Sequence, residues 1–255
     1  MASTKNITAK KTAGRVREVR TAADSADVLL LTAQRLFAEK GIDAVSMREI
    51  AREAGQRNNS ALHYHYGSKE TLIQAILQRQ MVEIDTLRND YLDRIFIDQR
   101  HGELRALIEA VVWPMATGLI TNRVNSYNRF LAAAQIHPDI DLATSTREDG
   151  ERGFRRVREL LQIVLPNIPE AVLLQRYLSG VAFVMFSLAD FERIKSRRSK
   201  VNRGFDLQRA IENLIDMLAG AFAAPVSTQV MQRLADGQRA GTSRGVVPAN
   251  SPSSS

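Results

Sequence analysis

The chain contains no cysteine, and this removes disulfide staples, thiolate-ligated zinc and thiol catalysis together. Its four histidines are dispersed at His63, His65, His101 and His137. The two that lie close are separated by one residue, so on a helix they point about 200° apart and cannot grip one ion. No metal or cofactor is expected. Walker, GxGxxG and HExxH patterns are all missing, and the carboxylates are scattered along helix faces rather than paired, so an enzyme is the weaker reading. No stretch approaches the roughly 18 uninterrupted apolar residues of a membrane span, and the opening MASTKNITAKK carries lysines without a following apolar segment. The expectation is a cytoplasmic protein with no membrane partner. No repeat of fixed period and no strand-period run is present, which excludes a helical solenoid and a sheet.

Helical periodicity is what remains. Helices are expected at 26–40, with Leu29, Ala33, Leu36 and Phe37 on one face and Gly41 just past the end, and at 102–120, 124–136, 146–165, 170–194 and 206–223. A long connector starts at Ser68-Lys69-Glu70 and runs through Leu72, Ile76, Leu77, Ile84, Leu87, Tyr91 and Ile95. His137-Pro138-Asp139 and Pro166-Asn167-Ile168-Pro169 read as breaks. The expected organisation is a basic arm over 1–24, a small domain over 25–70, a helical body over 71–224 and a disordered Gly, Ser and Pro-rich tail over 225–255.

Charge separates these parts. Residues 1–80 hold 13 Lys and Arg against 8 Asp and Glu, so five of the chain's net +7 charges sit in its first third. Lys5, Lys10, Lys11, Arg15, Arg17 and Arg20 suit either a phosphate-neutralising arm or a solvated tail.

The most informative stretch is residues 46–70, SMREIAREAGQRNNSALHYHYGSKE. A short helix with Met47, Ile50, Ala51 and Ala54 on its apolar face stops at Gly55, and a second short polar helix follows, anchored by Leu62 and Tyr66. That is helix-turn-helix grammar. Arg57, Asn58, Asn59, Ser60 and His63 are the candidate base contacts, because arginine pairs with guanine and asparagine with adenine through bidentate bonds. Ser46 and Arg48 suit a helix cap and a phosphate contact.

Phe37-Ala38-Glu39-Lys40-Gly41, then Ser46, Arg48, Ile50, Ala51, Ala54 and Gly55, then Leu62, Tyr64, His65, Tyr66, Ser68, Lys69 and Glu70 together resemble the N-terminal domain of TetR-type transcriptional repressors. The chain departs from the commonest pattern by one extra residue between Gly55 and Leu62, which shifts the register of Gln56, Arg57 and Asn58. The resemblance implies an all-α protein: an N-terminal three-helix domain with the helix-turn-helix, and a C-terminal helical domain for ligand binding and dimerisation. It assigns Tyr64, His65 and Lys69 to backbone phosphates. It also implies double-stranded operator DNA, a small-molecule effector and a second copy of the chain as partners.

Helix 170–194 is apolar nearly all round, more than one core face can use. A buried central helix in a monomer would account for this, as would the family's dimer interface, for which Leu174, Leu178, Val181, Met185, Leu188, Ile211, Leu214 and Leu218 are the candidates. Trp113-Pro114-Met115 lies inside a helical segment, where proline kinks the backbone and a large aromatic can open a cavity. Trp113, Met115, Asn128, Phe130, Phe154, Tyr177 and Phe183 are the candidate effector contacts, with ordinary core packing as the competing account for each. An architectural DNA-binding protein without a ligand is the alternative function.

Overall fold

The computed structural model describes residues 25–56, 60–121, 126–142, 151–196 and 204–243, with the backbone alone for 60, 61 and 238–243. The arm, Arg57, Asn58 and Asn59 lie outside these residues. Among the described residues the structure is all helical, without strands.

Three short helices form the head. Helix α1 covers 25–40 and ends at Gly41, whose φ of 90° lets its N–H reach the Phe37 carbonyl at 3.0 Å. Helix α2 (Met47–Glu53) begins at Ser46, whose hydroxyl accepts from the Glu49 N–H at 3.2 Å. Helix α3 (Ser60–Tyr66) is anchored by Leu62, fully buried in the same core as Leu29, Leu36, Phe37 and Ile50. The Tyr66 hydroxyl donates to the Ala26 carbonyl at 3.0 Å and so ties α3 back to α1.

Helix α4 (Lys69–Ile97) is the connector, 29 residues and therefore about 44 Å long at the ordinary rise per residue. Ser68 caps it through the Thr71 N–H at 3.2 Å. The body is completed by α5 (Leu104–Ile120), α6 (Tyr127–Gln135), α7 (Arg152–Val164), α8 (Glu170–Ser196) and α9 (Leu207–Ala223). α5 is the central rod: Ala106 through Val112 are buried without interruption, because α4, α7, α8 and α9 all pack on it. Pro114 lies buried inside this helix, which continues past it. Enclosure on several sides holds the helix where one backbone bond is forfeited.

α8 is long and apolar enough to cross a membrane by length and composition. Its inner face packs instead on α6, α5, α7 and α9. At Gly180 a side chain would meet the Phe222 ring at 2.9 Å, so this glycine sets how closely α8 and α9 approach. The expected tail differs: a further helix, α10 (Thr228–Ser243), follows Pro225. Gln229, Met231, Gln232, Arg233, Leu234 and Ala235 are good helix formers, and local propensity wins over the small and turn-forming residues scattered after them. Over residues 228–237 it is exposed except for Leu234, which is half-buried.

Candidate nucleic-acid interface and effector cavity

The helix-turn-helix presents its polar side to solvent. Arg48 and Arg52 are exposed on α2, and on α3 Tyr64 is the most exposed large side chain at 84%. Ser46 is committed to capping α2, in line with the cap reading. His63 is exposed, but its Nδ1 lies 2.8 Å from the Gly67 carbonyl, so that nitrogen fastens the end of α3 and Nε2 is left to face outward. His65 stands edge-on to the Tyr64 ring with centroids 5.3 Å apart. Lys69 is half-buried at the start of α4; its ammonium reaches the Asp43 carbonyl at 3.4 Å and lies over the Phe37 ring at 5.8 Å. Ser60 opens α3, and Gln56 turns back to donate to the Ser25 hydroxyl at 3.1 Å. Lys40 donates to Glu49 at 2.7 Å and holds that carboxyl below its ordinary range.

Head and body meet along a narrow seam centred on α6. The Phe37 and Phe130 rings stack at 6.0 Å, the buried Gln34 amide donates to the Ser126 hydroxyl at 3.2 Å, and His137 Nε2 lies 3.1 Å from an Asp43 carboxylate oxygen. Arg79 on α4 adds a 2.7 Å ion pair with Asp27 on α1. On its other side α6 packs on α8, the most extensive helix pairing among the described residues.

A cavity of about 550 Å³ opens between α4, α6, α7 and α8, a size suited to a small organic ligand. Met81, Phe154, Tyr177, Val181 and Met185 supply apolar wall. Of the seven candidate effector contacts, Phe154 and Tyr177 line it. Phe130, Met115 and Asn128 are packed in the core instead, Trp113 is half-buried and Phe183 is exposed, all off this lining. This cavity arises where four helices diverge.

The interface candidates also divide. Met185, Leu188, Ile211, Leu214 and Leu218 are buried within one chain, beneath the surface rather than on it. Leu174 and Leu178 are exposed, Val181 half-exposed, and Phe183, Phe186 and Met217 join them as uncovered apolar side chains. The exposed side chains fall on two sides of α8: Leu174 and Leu178 share the side of the cavity-lining Val181 and Met185, whereas Phe183 and Phe186 lie away from it, nine residues being a half-turn around the helix.

Two features escaped the sequence reading. His137 marks only a loop by its neighbours, yet it contacts the head. Arg88 falls in the connector's apolar stripe, between Ile84 and Leu92, and is fully buried. A cation at a core position of a helical stripe is a signal available in the sequence.

Comparison with known proteins gives two family matches. Residues 29–76 match bacterial regulatory proteins of the tetR family, and residues 105–221 match the tetracyclin repressor-like C-terminal domain. Among characterised proteins, the chain is similar to the HTH-type transcriptional repressor KstR2 of Rhodococcus jostii (strain RHA1), at 30% identity over 113 residues, 44% of this chain and 47% of that protein. The KstR2 repressor of Mycolicibacterium smegmatis is 28% identical over 119 residues, 46% of this chain and 50% of that protein. The chain thus spans about half the length of these curated relatives. A solved structure from Shewanella sp. PV-4, assigned to the tetR family of transcription regulators, superposes with a TM-score of 0.49 at 18% identity, covering 77% of this chain and 97% of that one.

Proposed function

The chain belongs to the TetR family of helix-turn-helix transcription regulators, and from that premise we propose that it acts in the cytoplasm as a homodimeric repressor, released from a palindromic operator by a small molecule. The single observation that carries this reading is the position of α6, which touches the head through Phe130, Ser126 and the following His137 and borders the cavity through Gln135. α4 does the same, running from the head at Lys69 to the cavity wall at Met81. Anything that fills the cavity bears on both helices that hold the head. The proposed role involves no turnover.

Paired heads multiply the contact of two short reading helices and select half-sites about one duplex turn apart. Phe183 and Phe186 on α8 with Met217 on α9 offer the apolar face for the second copy. On DNA, Tyr64, His65, Lys69 and Arg48 hold phosphates, with Arg52 beside them, while Ser60, His63 and the segment of Arg57, Asn58 and Asn59 read bases. Effector binding favours a conformation whose heads no longer match the half-site spacing, which requires tighter binding to the released state.

The test is selection of bound duplexes from a random pool, followed by mobility-shift titration of the winning site with candidate metabolites. The expected result is a near-palindrome bound by two chains and released by at least one compound. Absence of any preferred duplex over genomic competitor overturns the reading; a site that no compound releases leaves a ligand-independent repressor.

A further inference from the structure

Four helices bring a guanidinium and two phenols together behind one wall of the cavity. Arg88 of α4 is fully buried, and among the described residues none of its three guanidinium nitrogens has a hydrogen-bond partner. Its nearest counterion, Asp85, stands off at 3.6 Å, with its own oxygens taken by the Gly153 N–H at 2.9 and 3.1 Å and by the Asn89 amide at 3.0 Å. Tyr127 of α6 and Tyr177 of α8 are buried beside this charge, and neither hydroxyl has a partner among the described residues. Arg88 acts on both phenols electrostatically, although burial keeps their pKa values above the ordinary range. The Phe154 ring closes the group: the guanidinium lies over it at 3.7 Å, Tyr177 meets it edge-on at 5.9 Å, and both rings face the cavity.

Burial of so many unmade donors is costly. A buried arginine is ordinarily forked onto a carboxylate, and its loss of hydration is offset only by such bonds. Among the described residues no acceptor completes the fork, and two hydroxyl donors are buried in the same group. A guanidinium and two hydroxyls, bordered by an apolar chamber, are complementary to an oxyanion on an apolar body. The charged lining residues do not supply this discrimination, since Arg155 and Arg158 offset Asp141 and Glu151.

Resting on the effector reading above, we propose that the cavity takes an amphipathic carboxylate, its apolar body against Met81, Val181 and Met185 and its carboxylate on Arg88, Tyr127 and Tyr177. The Phe154 ring swings off the guanidinium as the ligand seats. Phe154 follows Gly153, whose N–H is bonded to Asp85 on α4, so ligand seating is tied directly to the connector.

Calorimetric titration of the full chain with decanoate and 4-phenylbutyrate, each against its neutral amide, tests this. Each carboxylate is expected to bind about tenfold or more tightly than its amide, and Arg88→Met to erase the difference, chiefly by weakening the carboxylate. Tyr177→Phe and Tyr127→Phe, which conserve ring packing, should each narrow it and carry the test if Arg88→Met does not fold. Equal affinity for acid and amide, binding of neither, or a preference that survives these substitutions overturns the proposal. Operator release is scored separately: carboxylates that bind through Arg88 without weakening DNA binding would refute effector release and leave the site intact, whereas release by an amide with no acid preference would do the reverse.

Discussion

The head and the body bury different things. Among the described residues of α1 to α3 the core is Leu29, Leu36, Phe37, Ile50 and Leu62, and the one buried polar side chain, Gln34, is spent on Ser126 of the body. The body buries Asp85, Arg88, Glu109, Asn128 and Glu192. Glu192, almost without solvent, has its pKa raised by burial even though Arg129 lies against it, and Tyr91, hydrogen-bonded to Glu109, is pushed up to about 12 chiefly by burial. An interface that works on its outer surface needs only an apolar interior to hold its helices. A chamber that distinguishes ligands needs polar groups inside, and these cost stability unless they are paired. The contrast implies that head substitutions should alter DNA affinity with small stability changes, and body substitutions the reverse.

The largest expected effect is at the seam, where the contrast should break. Phe130→Ala removes a fully buried ring stacked on Phe37, and a loss of about 3 to 5 kcal/mol in chemical denaturation is expected. A much smaller loss would show that head and body pack loosely. Next is the outer face of α8. Phe186→Glu places a charge on the proposed two-fold interface without entering the core, so light scattering should report a monomer and operator affinity should fall about 100-fold or more, roughly 2.7 kcal/mol. A dimer unchanged by this substitution would move the interface elsewhere. In the body, Gly153→Ala puts a methyl 2.8 Å from the Asp85 carboxylate and 3.1 Å from Arg88, with an expected cost of about 1 to 3 kcal/mol in the thermal midpoint analysis. The smallest effect belongs to the head. Lys69→Ala should reduce the salt dependence of log K by about 0.9 and weaken all duplexes alike, whereas Asn59→Ala should change which base is preferred at one position; selection experiments giving the opposite pattern would exchange their roles.

Much of the fold was legible in the sequence. Ser46, Gly55, Ser68 and Gly41 announce where α2 and α4 begin and where α1 and the first motif helix stop, because caps and left-handed glycines act through local hydrogen bonds. α8 and α9 were legible as strongly apolar, but which side of each faces out was not. Met185 and Phe186 adjoin in one apolar run, yet the first is 4% exposed and the second 42%. The chamber between α4, α6, α7 and α8 was not legible for a related reason: it is a space left between elements distant in sequence, whereas Pro114 is a local irregularity that surrounding helices absorb. Phe154 and Tyr177 were identified by residue type and Trp113 by the same logic, and only packing separates them.

The order of the residues determined on its own the helical class, the polar reading motif with its caps, the basic first third and the exclusion of thiol chemistry, since each follows from side chains near one another along the chain. Tertiary structure alone decided that Arg88 lacks hydrogen-bond partners among the described residues, that α6 joins head to cavity, and which apolar residues remain for a second copy. Those facts depend on which surfaces of separate helices meet, and helical periodicity gives a helix its faces without naming the partner each face will find.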